Sequence, residues 1–106
     1  MMNQQDTICA IATAHGGAIG VIRVSGPDAI SITSKIFTPI SGVTLKERRP
    51  YTLTFGKILS ADGEIIDEVL VSIFHSPHSY TGEDSTEISC HGSSYILQQV
   101  MCRLIE

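Results

Sequence analysis

The sequence predicts an α+β domain: a mixed five-stranded sheet with helices on one face. Three observations lead there. Five short runs are rich in Val, Ile, Thr and aromatic residues and bounded by Gly, Pro or Asp. Two segments instead repeat their apolar residues at helical spacing. Their order is strand, strand, helix, three strands, helix, the pattern of helices layered over one sheet.

The first run, TICAIAT (7–13), is stopped by AHGG, and AIGVIRVSG (18–26) follows, so the pair reads as a β-hairpin with a glycine turn. Ser25 and Pro27 then open a helix whose stripe is Ala29, Ile30, Ile32, Ile36 and Phe37. Thr33 and the isoleucines are poor helix formers, so packing must supply much of its stability. Residues 38–50 are turn-rich and polar and read as a loop with little structure of its own. YTLTFGKIL (51–59) and EIIDEVLVSIF (64–74) flank an Asp-Gly turn and form the second hairpin. Residues 75–84 make a ten-residue connection, long enough to be a candidate functional loop. STEISCHG (85–92) is the fifth strand, and the last segment is a helix with Ile96, Leu97, Val100, Met101 and Leu104 on one face. No glycine cap or proline stop follows that helix, so the 106 residues are expected to be one domain cut from a longer chain.

Composition narrows the function. The net charge of -4 argues against a chain that wraps a nucleic-acid backbone, and the one basic cluster, Lys46, Arg48 and Arg49, reads as a solvated loop. Cys9, Cys90 and Cys102 form neither a CxxC pair nor an even disulfide set. With no signal-peptide pattern and no apolar run of membrane-spanning length, the expectation is a cytoplasmic protein with reduced thiols and no membrane partner.

Several candidate sites fall away on spacing. The glycines of AHGGAIG lead into a strand, whereas a phosphate-cradling loop must lead into a helix N-terminus, and no GxxxxGK[ST] motif occurs. His75, His78, Cys90 and His91 are metal-ligand types but lack paired ligand spacing, and adjacent strand residues such as Cys90 and His91 point to opposite faces. Two charges remain. With period two, Glu87 shares a strand face with Ser85, Ser89 and His91, and Arg23 shares one with Val21 and Ser25. Two readings stand: a solvated face bearing a cross-strand ion pair, or a half-buried polar face that recognises a flat polar ligand.

The motifs DTICAIAT…GGAIGVIRVSG, YTGED and EISCHG together resemble the amino-terminal domain of the tRNA-modification GTPase family known as MnmE or TrmE. The resemblance runs from Asp6 to the last helix and is least informative over 38–50. It implies a fold like half of the folate-binding domain of aminomethyltransferases, a domain 1–106 for folate binding and dimerisation, and 5-formyl-tetrahydrofolate or a related reduced folate as ligand. It places the family's folate-binding arginine and glutamate at Arg23 and Glu87. Glu87 would accept from the pterin's amino and ring N–H edge, and Arg23 would meet a polar oxygen or the folate's acidic side. A further family lysine falls beyond residue 106. For the intact protein the resemblance implies GTP hydrolysis with Mg2+ and K+, a homodimer, a flavin-dependent partner, and modification of the wobble uridine of tRNA. The sequence departs from the family pattern at TAHGGAIG and at HGSS, neither of which touches Arg23 or Glu87. The other classes that fit are a stand-alone aminomethyltransferase-like folate protein and a pure dimerisation scaffold.

Overall fold

The computed structural model describes residues 7–12, 17–76 and 82–105. The strands are β1 (Ile8–Ile11), β2 (Ile19–Ser25), β3 (Phe37–Pro39), β4 (Leu53–Leu59), β5 (Ile65–Phe74) and β6 (Ser85–His91); the helices are α1 (Ala29–Ile36) and α2 (Ser94–Ile105). They build a six-stranded sheet in the order β1-β2-β6-β5-β4-β3. Every pairing is antiparallel.

This corrects the expected mixed five-stranded sheet in two respects. The sheet has no parallel pair, because β6 inserts between β2 and β5 and runs opposite to both. It also has a sixth strand, β3, within residues taken as helix end and loop. Phe37 turns to an extended conformation (φ -113°, ψ 128°) directly after α1, and Phe37–Pro39 pairs with Gly56–Ile58. Pro39 lacks an N–H and is tolerated because β3 is the sheet edge. Gly56 makes the pairing possible: a Cβ there would stand 2.6 Å from the Phe37 ring, which lies buried across β4. The basic loop is also partly ordered. A single 3-10 turn, Leu45–Glu47, buries Leu45, and Arg48 Nη2 donates to the Leu53 carbonyl at 3.1 Å.

Alternation sorts the strands into two faces. Ile22, Val24, Ile58, Val69, Val71, Ile73, Ile88 and Cys90 point to one core, shared with Ala29 and Ile36 of α1 and with Leu97, Val100 and Leu104 of α2. Both helices therefore cover the same sheet face, as expected, and the α2 stripe is the one read from the sequence. Thr33 of α1 is buried too, its hydroxyl 2.7 Å from that of Thr86, so a polar pair joins α1 to β6 within the core. Burial, with Asp67 adding to it, pushes the Cys90 thiol up to about 12, and burial raises that of Cys9. No helix among the described residues is long and apolar enough to cross a membrane. The glycine turn expected at AHGG (14–17) falls mostly on residues 13–16, which lie outside the described residues; Gly17 and Ala18 lead straight into β2.

Candidate functional site

The sheet face opposite the helices holds the two charged residues singled out above. The β2–β6 ladder sets Arg23 opposite Glu87. Arg23 donates to one carboxylate oxygen twice: Nε at 2.9 Å and Nη2 at 2.7 Å from Glu87 Oε2. The side chains are 28% and 25% exposed, so water screens the pair. By itself such a pair is worth about 0–1 kcal/mol. Its chemical consequence is larger. Fixed through Oε2, the carboxylate has a set orientation, and Oε1 accepts no hydrogen bond from the described residues.

The same row of the sheet reads Ala10, Arg23, Glu87, Ser72, Leu53 from β1 to β4. The small residues Ala10 and Ser72 flank the ion pair on either side in the ladder. Beside it runs a groove of about 290 Å³ lined by Ile8, Ala10, Ile11, Ala12, Arg23, Ser25 and Glu83. That volume is near the lower end of small-molecule sites, with the aliphatic walls and few polar groups typical of them. Glu83 belongs to the long loop flagged in the sequence, but no spacing rule distinguished it from a solvated loop acid. A larger cleft of about 680 Å³ lies on the helix side, lined in part by Cys9, Ile32, Lys35 and Arg103, and neither Arg23 nor Glu87 lines it.

The histidine and cysteine candidates are kept apart. His75 Nδ1 lies 3.8 Å from Asp84 Oδ1, whereas His91 Nδ1 is 2.6 Å from Asp67 Oδ1. The His91 backbone N–H also donates to Asp67 Oδ2 at 2.9 Å, so this buried carboxylate finishes the end of β6. Cys90 is in the core, and His78 lies outside the described residues. Among the described residues no three His, Cys, Asp or Glu side chains converge as a metal would require.

Fold and site together define an α+β domain with one helix-covered sheet face and an opposite face, free of helices among the described residues, that carries an oriented carboxylate beside an aliphatic groove. Comparison with known proteins places it more closely. The family model described as "GTP-binding protein TrmE N-terminus" matches residues 7–106. The chain is 74% identical over 103 residues to the tRNA modification GTPase MnmE of Bacteroides fragilis, covering 96% of this chain and 22% of that protein. It is 57% identical over 136 residues to the protein of that name from Phocaeicola vulgatus (98% and 27% covered). For Flavobacterium johnsoniae the figure is 50% over 105 residues (98% and 22%). The chain belongs to this family, as the amino-terminal domain of a tRNA modification GTPase of the MnmE/TrmE type. It spans 22% of the length of the first of these relatives.

Proposed function

We propose that this domain binds a reduced folate, of the 5-formyl-tetrahydrofolate type, on its open sheet face and pairs with a second copy of itself. The observation that carries the reading is the Glu87 carboxylate, aimed by Arg23 through Oε2 and keeping Oε1 available beside an aliphatic groove. A folate head is a flat ring system with an edge of N–H donors. Aliphatic walls suit its faces, and a carboxylate oxygen suits its edge. The whole protein, in this reading, is a cytoplasmic enzyme that hydrolyses GTP with Mg2+ and K+ and, with a flavin-dependent partner, modifies the wobble uridine of tRNA. The bound folate supplies a one-carbon unit. GTP hydrolysis belongs to the part of the protein outside these residues.

Pairing has its own support. Leu53, Phe55 and Leu70 stand exposed on the open face, with Phe55 and Leu70 directly opposite each other in the β4–β5 ladder. A two-fold axis would let one such surface cover its own copy. Sedimentation of a chain extended past Glu106 should give a dimer; a strict monomer at high concentration would end that part of the proposal. For the ligand, 5-formyl-tetrahydrofolate should be titrated calorimetrically into the extended chain and its Arg23→Ala and Glu87→Gln forms. Losing a charge-assisted hydrogen bond costs roughly 1.5–3 kcal/mol, so each variant should bind about ten- to a hundredfold more weakly. Equal affinities in all three folded proteins would remove both residues from the site.

A further inference from the structure

We infer that β1 is an interior strand in the whole protein: a seventh strand, supplied by the polypeptide that follows residue 106, pairs with its outer side. The inference is independent of the folate reading. Among the described residues β1 stands at one end of the sheet. Its register with β2 decides which groups face outward. The Ala12 N–H donates to the Val21 carbonyl at 2.7 Å, so the pairs that precede it at every second residue, Ala10↔Arg23 and Ile8↔Ser25, are the hydrogen-bonded ones. Cys9 and Ile11 therefore turn their N–H and C=O groups away from β2, where they form a template for another strand. The opposite edge is blunted by Pro39 of β3, whereas the run TICAIA carries neither proline nor charge.

Two cavities meet at this edge, one on each side of the sheet. The cleft of about 680 Å³ takes in Thr7 and Cys9 on the helix side, and the groove of about 290 Å³ takes in Ile8 and Ala10 on the other. One added strand accounts for both, because its alternate side chains project to opposite faces. Those entering the cleft meet Ile32, Ile36 and Leu104 and are therefore apolar, while those on the other side wall the outer flank of the groove. The route of the chain identifies the occupant. Leu104 and Ile105, at the end of α2, line the same cleft as Thr7, which directly precedes β1, and Ile105 is 71% exposed. A chain continuing from α2 thus reaches the start of β1 without a long connection. The relatives have such a continuation, since the matching family model is of an amino-terminal part and their chains run far beyond it.

The test is hydrogen–deuterium exchange on the full-length protein, resolved to single amides in β1. Cys9 and Ile11 should exchange at least about a hundredfold more slowly than unstructured amides, as Ala10 does through its bond to β2. Cys9→Pro removes one outward N–H and leaves the β1–β2 hydrogen bonds in place. It should speed exchange at Ile11 and in one segment beyond residue 106, while Ala10 stays protected. A second measurement stands apart from the folding of that variant: a photoreactive benzophenone side chain at the exposed position 8 should cross-link to the same segment. Fast exchange at Cys9 and Ile11 in the wild type, with Ala10 protected, would show a free edge and overturn the inference. Cross-links that reach only β1 of a second copy, or no segment beyond residue 106, would overturn it as well.

Discussion

Alanine at position 92 is expected to cost the domain about 2–4 kcal/mol, a large share of the stability of a chain this size. Gly92 follows β6, where its N–H donates to the Ala18 carbonyl at 2.9 Å. A Cβ on Gly92 would fall on the Gly17 carbonyl oxygen, 2.8 Å from the Gly17 carbonyl carbon and 3.1 Å from that of Ala18. These are backbone atoms, so no flexible side chain can swing aside. Relief requires the 17–18 segment to move off the end of β6, which gives up the hydrogen bond and loosens the entry into β2. Overpacking costs roughly 1–3 kcal/mol, occasionally more, and the lost hydrogen bond adds about 1 kcal/mol. At about 4–8 °C per kcal/mol for a domain near this size, the melting temperature should fall by about 8 °C or more. Gly63 supplies the control: its φ of +85° strains any side chain, but nothing lies within 4 Å of an added Cβ. Gly63→Ala should therefore cost only about 1–2 kcal/mol, the left-handed penalty alone. Thermal melts of the two variants side by side decide the matter; a Gly92→Ala melt at or above that of Gly63→Ala would show that the close approach is not limiting.

The contrast between these glycines also explains what could be read before the fold was known. Alternation in β2 and β6 is local, so the face parity of Arg23 and Glu87 was legible from IGVIRVS and STEISCH alone. Their direct pairing was not, because it depends on which strands become neighbours, and Arg23 and Glu87 lie 64 positions apart in the chain. The same non-locality hid the sheet order: nothing near residue 85 announces that β6 slides between β2 and β5. Strand β3 was hidden for a different reason. Phe37 continues the apolar stripe of α1, and Pro39 reads as a strand breaker; only the absence of a side chain at Gly56, 17 residues after Pro39, makes room for that edge. Glu83 was missed because a loop has no period against which one acid stands out.

Truncation of Ile88 to alanine should separate stability from recognition. Ile88 follows Glu87 in β6 and points to the other side of the sheet, fully buried, with Ile22 and Val71 as its cross-strand neighbours. Removing its side chain from this packed layer loses burial and leaves a cavity, together about 2–5 kcal/mol for an Ile→Ala change. Ile88→Val, which removes a single methylene, should cost about 0.5–1.5 kcal/mol. Neither change touches the open face directly, so the Arg23–Glu87 register should persist in molecules that remain folded. At a temperature well below its melt, Ile88→Val should bind 5-formyl-tetrahydrofolate as wild type does, and Ile88→Ala should bind as tightly per folded molecule. Glu87→Gln should show the reverse pattern, with a melt close to wild type and weakened binding, because its screened ion pair contributes no more than about 1 kcal/mol to folding. Melts and titrations on these three variants give a crossed result if the two sheet faces do separate jobs. If Ile88→Val weakens ligand binding as much as Glu87→Gln, the site depends on the exact seating of β6 in the core, and Glu87 cannot be treated as an independent recognising group.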